Sequence, residues 1–311
     1  MSTLRVVRCV GAPRDLGLDQ GQAAREAIRS ALRERFRGRA AWQALRELLP
    51  GSRSARAWRD LESYFPHHAE RMLGLSLGAR VPTRALVGEL AQLLAGDAGL
   101  AAAVSGERAP GTLVARSFAL RGGTDLVLRH SAPDNDYRTL ELAAAWSVAS
   151  TIGVNEHGLA ASATALPAPD VLLAGCAAPA ALLVQDVLQR FDAVDKAVEW
   201  ALRRPAGGHA TLLLADAAGR TALVSIEGRK RRLLGDGDAF LIGLAAPAAV
   251  AALEKGAAEA RHFDAASLAR LLGEASVRPA LVAVADPAGR RLGVARGEAA
   301  LVWHEITSAS R

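Results

Sequence analysis

Apolar and polar positions alternate along this chain in two textures that meet near residue 100. Before that point the apolar residues recur at three- and four-residue spacing. Ala24, Ala27, Ile28, Ala31, Leu32 and Phe36 fall on one stripe, the signature of an amphipathic helix with one buried side. A short strand, "LRVVRCV", and a turn, "GAPRDLG", precede that helix. Further helix is predicted around "AWQALRELL", "AWRDLESYF" and "HHAERMLGLSLGA". After Val81-Pro82, Thr83 is placed to cap one more, "RALVGELAQLLAG".

Beyond residue 100 the pattern shortens to β runs separated by turn residues: "TLVARSFAL", "DLVLRHS", "TLELAAAWSV", "STIGVN" and "GLAASATAL". Two helices follow, "PAALLVQDVLQRF" and "AVDKAVEWALRR", then the hairpin "HATLLLADAAGRTALVSIEG" with a turn at Asp216–Gly219. A strand "AFLIGL", two helices near "AAVAALEKGAAEARH" and "AASLARLLGEA", and the hairpin "ALVAVADPAGRRLGVARG" complete the chain. Hairpins, helices and hairpins again predict a layered α+β fold. No Gly/Ser/Pro-rich linker divides it, so residues 1–98, a helical segment, and 99–311, the mixed core, are expected to pack as one unit.

Composition narrows the function classes. Of 311 residues, 50% are hydrophobic and 23% charged, which is globular composition. The net charge of +6 owes much to Arg25, Arg29, Arg33, Arg35, Arg37 and Arg39. Glu26 and Glu34 interleave with these, and no aromatic platform accompanies them, so a solvated helix face is expected and no nucleic-acid partner. Two cysteines, Cys9 and Cys176, support neither a disulfide scaffold nor a structural zinc site. No signal-like N-terminus or membrane-length apolar run is present, which leads to a cytoplasmic expectation without a membrane partner.

Phosphate-loop, dinucleotide and zinc-protease motifs are absent, and no cofactor or metal is expected. The one histidine pair, His67-His68, is expected to be a surface pair, since adjacent helical residues point about 100° apart and chelate poorly. Asp134, Asn135 and Asp136 form a polar hairpin end suited to solvent or to the rim of a pocket.

Six stretches occur in a telling order: "GAPRDLGLDQGQAAREAI", "YFPHHAERMLGLSLGARV", "GTLVARSF", "IGVNEHGLAASATAL", the helix pair, and "LLLADAAGRTALVSIEG". Together they make the chain similar to the acyl-coenzyme A:isopenicillin N acyltransferase family of Ntn hydrolases. The resemblance implies a four-layer αββα sandwich. It also implies a precursor that cuts itself before a cysteine, which then attacks an amide or thioester carbonyl. Carried onto this chain, Gly99 matches the glycine before the cut, and the cysteine position falls on Leu100 or Ala101.

Neither side chain attacks a carbonyl. The helper positions are Ala101–Ala103, and the acidic motif after the turn becomes Arg116-Ser117-Phe118-Ala119. The asparagine of the oxyanion hole aligns with Gly243, Leu244 and Ala245. The expectation is therefore a scaffold with no catalytic residue, binding a ligand or partner. Arg116, Phe118, Asn155, Ser162 and Leu244 are expected to line the former cleft. With one cation, Arg116 or Arg129, such a cleft suits a small amphipathic anion. Two alternatives stand beside it. One is an active amidase or acyltransferase with Ser105 as a displaced nucleophile, or Cys176 as a thiol at a helix start. The other is an interaction protein that meets an acidic partner through its basic N-terminal third.

Overall fold

The computed structural model describes residues 4–36, 52–92, 99–118, 125–167, 178–276, 281–297 and 299–306. Cys176 and the predicted helix at "AWQALRELL" lie outside these residues. Among the described residues, fourteen strands form two sheets. The larger contains, in order, β1 (Arg5–Gly11), β4 (Leu126–Pro133), β5 (Thr139–Ala144), β6 (Ile152–Asn155), β7 (Leu159–Leu166), β8 (His209–Asp216), β9 (Thr221–Glu227) and β10 (Lys230–Asp236). The smaller contains β11 (Phe240–Ile242), β2 (Ala101–Val104), β3 (Leu113–Phe118), β12 (Leu281–Asp286), β13 (Arg291–Ala295) and β14 (Val302–Glu305). Neighbours pair antiparallel except β1, which runs parallel to β4 and ties the N-terminal segment into the large sheet.

Strand alternation sorts the core into layers. Ala101, Ala103, Val114, Leu128, Leu140, Ile152, Val154, Leu213 and Ala283 fill the space between the sheets. On the far side of the small sheet, Ala102, Val104, Ala115 and Val284 pack against helices α8 (Pro247–Glu259) and α9 (Ala265–Ala275). On the far side of the large sheet lie α1 (Pro13–Ala23), α2 (Arg25–Phe36), α3 (Arg53–Tyr64), α4 (Pro66–Ala79), α5 (Thr83–Gln92), α6 (Ala181–Arg190) and α7 (Val194–Arg203). The result is the αββα sandwich that the resemblance implied.

Helices α1 and α4 cross at backbone contact. Gly17 and Gly21 on one face Gly74 and Gly78 on the other. A Cβ on Gly17 would lie 1.9 Å from the Arg71 carbonyl oxygen, and one on Gly74 the same distance from that of Arg14. Only glycine permits this approach. It fixes where α4 begins and so where His67 and His68 sit. The predicted apolar stripe is buried at Ala24, just before α2, and at Ile28 and Leu32 on it.

The basic run is partly structural. Arg25 donates from Nε to the Gly78 carbonyl and Arg29 to that of Ala79, both at 3.1 Å. Two guanidinium groups thereby occupy the carbonyl end of α4, where cations are favoured. No helix among the described residues is long and apolar enough to cross a membrane.

Candidate functional site

The start of β2 is where the resemblance places a nucleophile, and the phase of that strand separates the two candidate positions. Leu100 belongs with Ala102 and Val104 on the side facing α8 and α9. Ala101 belongs with Ala103 on the face between the sheets. Because side chains alternate along a strand, Ala101 alone of the two is presented to the interlayer. Directly across the ladder from it stands Arg116. Ala101 is 0% exposed and Arg116 1%. The guanidinium lies over the Phe118 ring, 5.1 Å from its centroid, on the same face.

The remaining groups around Ala101 are polar but already engaged. The Gly243 N–H donates to the Ala101 carbonyl at 2.8 Å. The N–H of half-buried Leu244 donates to Thr211 Oγ1 at 2.8 Å, and that hydroxyl also meets Thr164 Oγ1 at 3.0 Å. Thr211 is absent from the sequence-derived set, although the alternation of "HATLLLAD" places it on the same face as Leu213. Ser162 shares the interlayer face of β7 with Thr164, and its hydroxyl donates to the Thr151 carbonyl at 3.0 Å.

Two expected residues point elsewhere. Asn155 faces the helices. Its Nδ2 donates to the carbonyls of Leu188 (2.8 Å) and Phe191 (2.7 Å), and its Oδ1 accepts from the His157 and Leu159 amides. These four bonds use the hydrogen-bonding capacity of a side-chain amide, so Asn155 ties the β6–β7 turn to the end of α6. Arg129, considered for the cleft, also faces the helices, on the same side of β4 as Val127. It sits in a closed buried network. Its Nε donates to Glu141 Oε2 at 3.1 Å, its Nη1 to Gln20 Oε1 at 3.0 Å, and its Nη2 to Gln185 Oε1 and Ser150 Oγ, both at 2.7 Å. Burial pushes the Glu141 carboxyl up, but Arg129, Arg71 and the Ser150 and Thr139 hydroxyls outweigh it and hold the group at about 2. Such a satisfied network stiffens the layer that carries the α1–α4 crossing.

Ser105 ends β2. Its hydroxyl donates to the Asp238 carbonyl at 3.3 Å and its amide to that of Ala239 at 3.0 Å. A carbonyl cannot take up the hydroxyl proton, so this contact supplies no general base.

His67 and His68 depart from the surface-pair expectation. His68 is fully buried, and its neighbour keeps 22% of its side chain exposed. Both Nε2 atoms converge on Asp186 Oδ1 of α6, at 2.6 Å from His67 and 3.0 Å from His68. The rings lie 4.3 Å apart between centroids. Successive helical positions do diverge, but at this helix start the imidazoles are long enough to reach one oxygen. Burial, with His67 beside it, lowers His68 to about 4 in spite of Asp186, which keeps its ring neutral at neutral pH. Burial raises Asp186, but the two histidines outweigh that effect and hold its carboxyl below the usual range. Next to the cluster is a cavity of about 170 Å³, lined in part by Asp134, Asn135 and Asp136, so the polar hairpin end forms its rim.

Two further cavities are formed by described residues. One of about 830 Å³ lies between α9 and the β13–β14 connection; one of about 270 Å³ is bounded by Tyr64, Arg203, Arg204, Arg229 and Arg231. Neither is lined by the residues around Ala101.

No protein-family model and no curated protein matches the chain. Solved structures do. The N-acylethanolamine-hydrolyzing acid amidase ortholog of Caenorhabditis elegans is similar over 61% of this chain and 93% of its own, at 13% identity and a TM-score of 0.52. Penicillin V acylase from Agrobacterium tumefaciens is similar over 67% and 86%, at 16% identity and 0.47. A mutant conjugated bile acid hydrolase from Clostridium perfringens is similar over 66% and 92%, at 12% identity and 0.47. Together with the sheet topology, the likeness to the amidase ortholog gives this chain the Ntn-hydrolase fold. At such identity the likeness concerns fold alone.

Proposed function

We propose that this chain is an Ntn-hydrolase-fold protein that has lost acyl-transfer chemistry and serves as a binding protein. The observation that carries this reading is Ala101, a methyl group at the interlayer start of β2, where the acyltransferase resemblance requires a nucleophile. The expected neighbours reinforce it. The carbonyl of Ala101 and the amides of Gly243 and Leu244 are tied up in hydrogen bonds within the protein. An oxyanion hole needs donors aimed at an empty position.

The side chains that replace the former active site, Ala101, Arg116 and Phe118, are themselves buried and packed together between the sheets, so the ligand or partner is taken on another face. Thermal-shift titration with fatty and aryl carboxylates tests this closure. The expected result is no shift that depends on Arg116. A saturable rise in Tm that Arg116→Met removes contradicts it and favours a small amphipathic carboxylate held between the sheets. Turnover of amide or thioester substrates by the unmodified chain contradicts the loss of chemistry and favours the displaced-nucleophile reading through Ser105.

A further inference from the structure

His67, His68 and Asp186 have no part in acyl transfer or in the interlayer face. They meet across two helices, α4 and α6, on the opposite side of the large sheet. We propose that these three side chains bind a divalent transition-metal ion of the zinc class, with a further coordination position open to the adjoining cavity.

The donor set is the first argument. Two imidazole nitrogens with one carboxylate suit zinc and its first-row neighbours, whereas calcium and magnesium take oxygen ligands. Three protein ligands with a fourth position left to water is the pattern of an open zinc site. One ligand atom from each residue lies within 4.8 Å of the others. Bonds of about 2.0–2.2 Å in a tetrahedron place ligand atoms roughly 3.3–3.6 Å apart. Separations of 2.6 and 3.0 Å to Asp186 Oδ1 therefore need an opening of up to about an ångström. The ion would take the place of the hydrogen shared between His67 and Asp186.

Orphaned buried atoms provide the second, independent argument. Neither ring nitrogen of His68 makes an aligned hydrogen bond, and Asp186 Oδ2 has no partner. Both side chains are at or near zero exposure. A buried polar atom without a partner costs free energy, and with His68 Nδ1 and Asp186 Oδ2 both in that state the cluster calls for a ligand. Gln189 Nε2, also buried without a partner, lines the same cavity. At about 170 Å³ the cavity has room for several waters at roughly 30 Å³ each.

Charge decides between a cation and an anion. Arg71 lines the cavity, and Arg190 approaches His67 Nδ1 at 3.4 Å, which alone would favour an anion. Against them stand Asp186 in the cluster and Asp134 and Asp136 on the cavity wall. Three carboxylates to two guanidinium groups leave the surroundings net negative, which favours a cation. The partly exposed His67 marks the way in.

The test uses the full chain stripped with a chelator. Zinc chloride is titrated by calorimetry and cobalt chloride by visible absorption. The expected result is one ion per chain and the intense d–d bands of low-coordinate cobalt. His68→Gln and Asp186→Asn are expected to weaken binding at least about tenfold. Because those two positions are buried, His67→Gln tests the same site from its exposed side, with circular dichroism following the fold. Arg190→Gln, by removing a nearby cation, is expected to tighten binding roughly three- to tenfold. An absence of saturable binding, or binding unchanged in the three ligand variants, overturns the proposal and leaves a His–Asp–His cluster without an ion.

Discussion

Ala101 stands at the interlayer start of β2, where the acyltransferase resemblance requires a nucleophile. Its methyl group faces Arg116 between the sheets, and its carbonyl accepts from Gly243. Ala101→Cys would put a thiol on the interlayer face, whereas Leu100→Cys would turn one toward α8 and α9. Neither variant gains an oxyanion donor, because the Leu244 amide remains bonded to Thr211. The loss of one such donor costs about 10²–10³ in rate. Both variants are therefore expected to stay uncleaved, with thioester hydrolysis at background. Efficient self-cleavage of Ala101→Cys, read by mass, would show that donors are free where the structure has them engaged.

At the scale of elements, the α1–α4 crossing positions the metal-site candidates and a good part of the N-terminal layer. Four glycines allow it, and a methyl group at Gly17 or Gly74 would collide with a backbone oxygen, which cannot rotate away. Gly17→Ala and Gly74→Ala are expected to destabilise the fold by about 1–3 kcal/mol or more, measured by denaturant unfolding. Gly273→Ala serves as the control, since a Cβ there meets nothing within 4 Å and helix propensity favours alanine. Equal effects at the three positions would contradict the close crossing.

Elements with a clear apolar period were legible in the sequence: the α2 stripe, the β8–β9 hairpin and the helix Ala265–Ala275. Strand β10, "KRRLLGD", was not, because it is an edge strand with most side chains exposed and shows no buried alternation. Strand β14, also at an edge, carries the same weak signal. The site was legible only in part. Sequence spacing left Leu100 and Ala101 equivalent, and only the strand's phase separates them. Asp186 lies 119 residues from His67, so nothing local joined them. A weak clue was present in "ALLVQDVLQR", where Gln185 and Asp186 interrupt an apolar helix and both prove buried.

For the whole molecule, the N-terminal segment contributes β1 to the large sheet and α1–α5 to one helical layer, with Arg25 and Arg29 spent on the end of α4. The scaffold is thus built around a junction near residue 100 that the acyltransferase resemblance would have cut. Self-cleavage there requires a side chain that attacks the preceding carbonyl, and Leu100 and Ala101 have none. Intact-mass spectrometry of the purified chain after prolonged incubation tests the loss of chemistry most directly. One species at the full 32.4 kDa is expected. Spontaneous conversion to two fragments, cut between residues 99 and 105, would contradict it.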